Sequence, residues 1–240
     1  AAITRSTISI FPCEPYHLNA LIEKLELCGC SFEYSKQILK IIPDKILNSV
    51  NITTNPFPGF PTDLQAPFMA LMATANGTSR IKETLFENRM HHVKELNLMG
   101  ANITIKDNIA TVVGVKKLQG TVVMGYDLRG TAALALAGLS ANGITIVRGL
   151  NHLERGYEEF SKKFQGIGAK IVEKKVKLMI KMNNFSIGKS LENHLKSYKS
   201  ALKYSFLIGL FVGSLPFIYK SIESYKIQKL LQEERKIQIQ

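Results

Sequence analysis

The chain has no tryptophan, three cysteines, and few acidic side chains: 19 Asp and Glu against 31 Lys and Arg in 240 residues. Cys13, Cys28 and Cys30 are odd in number, contain no Cys-x-x-Cys pair and have no histidines at zinc-finger spacing. A disulfide framework and a structural metal site are therefore not indicated, and a reducing, cytoplasmic interior is expected. The opening residues Ala1-Ala2-Ile3-Thr4-Arg5 lack the charged-then-apolar pattern of a secretory leader, so none is expected. What is present is apolar material. At 45% hydrophobic residues the chain can bury a real core over one or two domains, which excludes a disordered chain.

The net charge of +12 is unevenly placed. Residues 1–160 carry 15 basic and 14 acidic side chains, whereas residues 161–240 carry 16 and 5. Basicity thus belongs to the last third. Without an aromatic-interleaved basic motif it gives no support to a nucleic-acid partner.

Two phrases recur in alternation. The first is an amphipathic stretch closed by glycine and followed by alternating residues, at Leu27-Cys28-Gly29-Cys30-Ser31, Leu98-Met99-Gly100-Ala101-Asn102 and Ile167-Gly168-Ala169-Lys170. Each predicts a helix that ends on a left-handed glycine and runs at once into a strand. The second is an Asp-led apolar helix closed by Asn-Gly, from Asp63 to Gly77 and from Asp127 to Gly143. A third copy should precede the first phrase, but only Ala1-Ala2-Ile3 stands there, running into Ser6-Thr7-Ile8-Ser9-Ile10. Fixed-period similarity of this kind marks repeated supersecondary units. The sequence predicts three α/β units of roughly 70 residues with the first cut at its start, and so a fragment.

The residues able to carry chemistry cluster in four words: Pro58-Gly59-Phe60-Pro61-Thr62-Asp63-Leu64-Gln65-Ala66, Phe86-Glu87-Asn88-Arg89, Asp127-Leu128-Arg129 and His152-Leu153-Glu154-Arg155-Gly156-Tyr157-Glu158. Each sets a charged residue where irregular chain meets a helix. Pro61 and Thr62 open a helix and leave Asp63 near its positive end, where its carboxylate stays ionised and can accept a hydroxyl proton. Arg89, Arg129 and Arg155 lie on the near-neutral part of the chain, one at the mouth of each stretch. Together they would suit a phosphorylated carboxylate. Equally, each could pair with its neighbouring acid, Glu87, Asp127 or Glu154, as a surface bridge of little weight. The three cysteines and the five histidines, His91 and His92 included, read as structural.

These words, in this order, resemble the C-terminal portion of the UDP-N-acetylglucosamine 1-carboxyvinyltransferase family over residues 1 to about 177. The resemblance implies an inside-out α/β barrel of three βαβαββ units, with an incomplete enolpyruvyl transferase domain over 1–177. It also implies a reaction that needs no cofactor. The sugar 3-hydroxyl adds to C2 of phosphoenolpyruvate, C3 is protonated, and phosphate is then eliminated, as the first committed step of peptidoglycan synthesis. On that resemblance Asp63 handles the 3-hydroxyl proton, and Asp63 and Leu85 contact the nucleotide sugar. Arg155 binds phosphoenolpyruvate, Arg89 and Arg129 form the surrounding cationic rim, and Asp127 is an acidic partner. The family's Lys-Asn pair and its mobile cysteine-bearing loop have no counterpart here, which implies a chain inactive by itself.

Beyond residue 177 the resemblance stops. Residues 178–240 read as a basic, non-family tail, helical or disordered toward its end. The apolar run Tyr204–Tyr219, bracketed by Lys203 and Lys220, would span about 24 Å as a helix, short of a bilayer core. Its flanking tyrosines and lysines suit interfacial anchoring, while Gly209, Gly213 and Pro216 suit a bent helix. A membrane-attached tail and a plain extension both remain open. So does a second function, a truncated non-catalytic module for binding or membrane association.

Overall fold

The computed structural model describes residues 1–176 and 234–239. The strand Ile8–Ile10 (β1) follows a 3-10 turn over Ala2–Thr4 that closes on Arg5 in the left-handed region, φ 54°. The helix Asn19–Cys28 (α1) then leads to a hairpin of Cys30–Ser35 (β2) and Ile38–Pro43 (β3). The second unit runs through strand Ile52–Thr53 (β4), helix Gln65–Met72 (α2), strand Thr78–Lys82 (β5) and helix His92–Leu98 (α3). It ends in the hairpin Asn102–Lys106 (β6) and Ile109–Val113 (β7). The third comprises Val122–Met124 (β8), Leu128–Ser140 (α4), Thr145–Arg148 (β9), Leu150–Leu153 (α5), Phe160–Gly166 (α6) and Ile171–Val176 (β10). A last strand, Glu234–Ile239 (β11), completes it.

The repeat shows most plainly in the sheets. Their orders are β1-β3-β2, β4-β5-β7-β6 and β8-β9-β11-β10. In the second and third sheets the first two strands run parallel, and the next strand is antiparallel to its neighbour. Even the register repeats: Val112 faces Ser79, Ile239 faces Thr145, and all four side chains are buried. Among the described residues no strand flanks β1 on its other side. Ile10 is accordingly 40% exposed, whereas Ile81 and Val147, at the matching places, are fully buried. No closed barrel forms among the described residues; the three sheets stay separate.

Helices α2 and α4 form the interior. Phe68 to Met72 and Ala132 to Ala135 are each 5% exposed or less. A helix apolar on all sides must be covered on all sides. The run of Ala and Leu in α4 combines high helix propensity with small cross-section, and Asp127 starts it by accepting the Gly130 amide at 2.7 Å. The 3-10 turn at Ala2–Thr4 packs in the same interior against both helices. Arg5 fixes it there by donating to the carbonyls of Ala2 and Thr74.

The expected glycine stops are present, with Gly29, Gly100 and Gly168 at φ 107°, 85° and 95°. The strand expected from Ser6 begins two residues later, because the backbone at Arg5 is still turning. Glu234–Ile239 is a strand and not part of a helical or disordered tail. Lys236, Ile237, Gln238 and Ile239 alternate with the period of two that a half-buried strand requires. The apolar run 204–219 lies outside the described residues. By internal contacts the chain divides into Ala1–Lys175 with Arg235–Gln240, and Val176–Glu234.

Candidate active site

The turns leading into α2 and α4 meet, so the positive ends of two interior helices share one place. Asp63 sits in the 3-10 turn Thr62–Leu64 just ahead of α2, and Arg129 is the second residue of α4. Arg129 donates to Asp63 Oδ2 at 2.5 Å. Arg89, on the loop after β5, donates to Asp63 Oδ1 at 2.9 Å. One carboxylate thus joins two guanidinium groups from different units. The hydrogen bond from Arg129, with its charge and then that of Arg89, holds the Asp63 carboxyl below its ordinary value despite partial burial. The same pairing raises Arg129.

Sequence neighbours do not decide these pairs. Arg89 bonds neither to Glu87 nor Arg129 to Asp127, because Asp127 is spent on capping its own helix. The other nitrogen of Arg129 donates to the Tyr157 hydroxyl at 2.9 Å, and its carbon lies 5.4 Å from that ring's centre. Arg89 stacks similarly over Phe86 at 4.7 Å. Arg155 is exposed on the turn after α5, two residues before Tyr157, and makes no hydrogen bond or ion pair with another described residue. The structure therefore unites Asp63, Arg89 and Arg129, places Arg155 on the adjoining turn, and keeps Asp127 at the helix end below them.

Leu85 is 38% exposed on the same loop as Arg89. Both help line an open cavity of about 780 Å³ that also takes in Glu83, Phe86, Asn88 and Asn108. Three residues without an assigned role in the sequence join the site: Thr62, Glu83 and Tyr157. Thr62 Oγ1 accepts from Arg89 at 2.9 Å and donates to Glu83 at 2.8 Å. The Cys28 thiol is pushed up to about 12 by burial, with the Cys30 charge adding to it. Such a thiol is inert as a nucleophile at neutral pH.

His92, at the start of α3, is 2% exposed, and neither ring nitrogen has a hydrogen-bond partner among the described residues. Burial pushes its imidazole from the ordinary 6.5 down to about 4. Between those values the unfolded chain binds a proton that the folded chain refuses. Stability is therefore lost as the pH is lowered through this window, by up to about 1.4 kcal/mol per pH unit. Urea midpoints compared at pH 7 and pH 5 should show the loss, and His92→Leu should flatten it. Equal losses in both proteins would assign the effect to other groups.

The fold, with three interior-facing helical segments flanked by separate sheets, is shared with solved enolpyruvyl transferases. The solved enolpyruvyl transferase NikO from Streptomyces tendae matches 63% of this chain and 35% of its own, at 28% identity and a TM-score of 0.58. EPSP synthase from Acinetobacter baumannii shares the fold at 19% identity, with a TM-score of 0.53 over 71% of this chain and 41% of that one. The chain belongs to the EPSP synthase (3-phosphoshikimate 1-carboxyvinyltransferase) family, whose sequence model matches residues 1–164.

Among curated relatives it is 57% identical over 171 residues to UDP-N-acetylglucosamine 1-carboxyvinyltransferase 2 of Prochlorococcus marinus strain SARG, covering 71% of this chain and 40% of the relative. It is 52% identical over 202 residues to UDP-N-acetylglucosamine 1-carboxyvinyltransferase of strain NATL1A, covering 84% of this chain and 44% of the relative. The chain thus spans less than half the length of these relatives.

Proposed function

We propose that this chain supplies one half of an active site that transfers the enolpyruvyl group of phosphoenolpyruvate to the 3-hydroxyl of UDP-N-acetylglucosamine. The setting is peptidoglycan synthesis, and with it cell shape and division, in the cytoplasm. The observation that carries the reading is Asp63, held ionised between Arg89 and Arg129. In the addition step the sugar O3 bonds to C2 of phosphoenolpyruvate, its proton passes to Asp63, and C3 gains a proton from an acid elsewhere in the site. In the elimination step C3 loses a proton, the C2–O bond to phosphate breaks, and phosphate leaves with the electron pair.

The arginines serve two partners in turn. In this structure they neutralise Asp63. An arriving phosphate and carboxylate compete for the same guanidinium forks, and as Asp63 loses these donors its basicity rises toward what proton transfer needs. Arg155, with no such partner, is the anion ligand available first, and Leu85 offers an apolar contact to the nucleotide sugar. Asp127 contributes its negative charge from the cap of α4. Both substrates are small molecules, and no nucleic-acid partner is proposed. No helix among the described residues is long and apolar enough to cross a membrane.

The test joins the preceding portion of the Prochlorococcus relative to residue 1 and follows phosphate release from phosphoenolpyruvate. Release that depends on the nucleotide sugar, and is absent from the 240-residue chain alone, is the expected result. A joined protein that folds and stays inactive would favour a non-catalytic module.

A further inference from the structure

Glu83 is a buried carboxylate, 2% exposed, just past the end of β5. Among the described residues no cation pairs with it. Instead its Oε1 accepts from the Thr54 hydroxyl at 2.8 Å and from the amides of Leu85 and Phe86 at 2.9 and 3.3 Å, while its Oε2 accepts from Thr62 at 2.8 Å. Burial alone would push its carboxyl up, but these four donors outweigh it and hold it below the ordinary range. An ion kept in the interior by neutral donors is costly to place there. A threonine or glutamine could satisfy part of the same backbone, so the charge calls for a separate reason.

The hydrogen bonds beyond Glu83 supply one. Thr62 uses its hydroxyl proton on Glu83, which leaves its lone pairs to receive Arg89, and Arg89 in turn reaches Asp63. A carboxylate behind a hydroxyl fixes the direction of that proton and strengthens the hydroxyl as an acceptor. At its other oxygen Glu83 fixes the backbone at Leu85, the residue exposed to the cavity. Asn108 closes the back of the cluster by donating to the Glu83 carbonyl at 2.8 Å.

We propose that Glu83 is a positioning residue, which aims Arg89 at Asp63 through Thr62 and sets the loop that presents Leu85. Its bearing on catalysis rests on the function proposed above; its effect on Asp63 does not. The first arm of the test therefore uses the 240-residue chain, with the Asp63 carboxyl titration followed by carbon-13 NMR. Glu83→Gln keeps the shape and loses the charge, and Thr62→Val removes the intermediate hydroxyl. Each should raise the Asp63 titration midpoint, since loosening Arg89 weakens one of the interactions that lower it. The double variant should add little, because residues acting through one path are not additive. An unmoved midpoint in both single variants overturns the proposal, and if Glu83→Gln does not fold, Thr62→Val decides alone.

The second arm uses the joined protein. Glu83→Gln should lower kcat for phosphate release about tenfold, the lower end for a misaimed catalytic group, with little change in the KM for phosphoenolpyruvate. Full activity in Glu83→Gln beside an inactive Asp63→Ala would refute the catalytic part. Full activity in Asp63→Ala would refute the functional reading and leave the NMR result standing.

Discussion

Asp63→Ala should reduce nucleotide-sugar-dependent phosphate release about a thousandfold in the joined protein, within the range for loss of a general base. Two losses combine: the acceptor for the 3-hydroxyl proton disappears, and Arg89 and Arg129 are left facing each other without the charge between them. The protein should nevertheless stay folded. The Asp63 side chain is 50% exposed, and ion pairs in such positions contribute little to stability. A melting temperature close to that of the unsubstituted protein would separate lost chemistry from lost structure. Arg155→Ala should fall on the same side, by about a hundredfold, as expected for removing one donor to developing charge, again without a stability cost. If Asp63→Ala retained full activity, the arrangement would be a surface ion-pair cluster and no more.

Gly114→Ala should produce the largest structural effect. Gly114 follows β7, where its amide donates to the Gly77 carbonyl and the next amide, Val115, donates to Ala73. The chain there passes so close to the end of α2 that an added Cβ would lie 1.6 Å from the Ala75 carbonyl oxygen. No rotamer can relieve this, because both atoms are fixed by the backbone. Either the end of β7 or the end of α2 must move, and each carries hydrogen bonds that the other needs. A loss of more than about 4 kcal/mol is expected, the range reached only by a few named mechanisms, among them overpacking of a core. Chemical denaturation of Gly114→Ala, compared with Gly166→Ala where nothing lies within 4 Å, would measure it.

Much of the scaffold is written in short stretches of sequence. Gly29, Gly100 and Gly168 punctuate three helices locally, and Asp63 and Asp127 precede two apolar helices, so the units could be read without knowing how they pack. The pairing of the arginines could not. Arg89 has Glu87 two positions away and Arg129 has Asp127 equally near, and only the meeting of the two interior helices brings both onto Asp63 instead.

Glu83 was still harder to see. It has the parity of the buried Ser79 and Ile81 in the alternating run, but a charged residue at that place reads as the strand having ended in solvent. Its burial depends on Thr54 and Thr62, which reach it from loops outside that strand. The last strand hid for a different reason. Six residues after a charged stretch carry a weak signal, and their place becomes visible only when the β4-β5-β7-β6 order shows what the third sheet requires.

That last strand also imposes an order in time. β2 and β3, and likewise β6 and β7, are joined by tight turns, so the first two hairpins can form soon after they leave the ribosome. β9 must wait for a partner that is made only when translation reaches residue 239. Until then Val147 and Thr145 belong to an unfinished sheet edge, open to strands of other chains. Among the described strand pairings, that of Thr145 with Ile239 has the greatest loop to close. Closing the third sheet is thus expected to be the slowest of the described strand pairings, and its open edge the place most exposed to aggregation while the chain is unfinished.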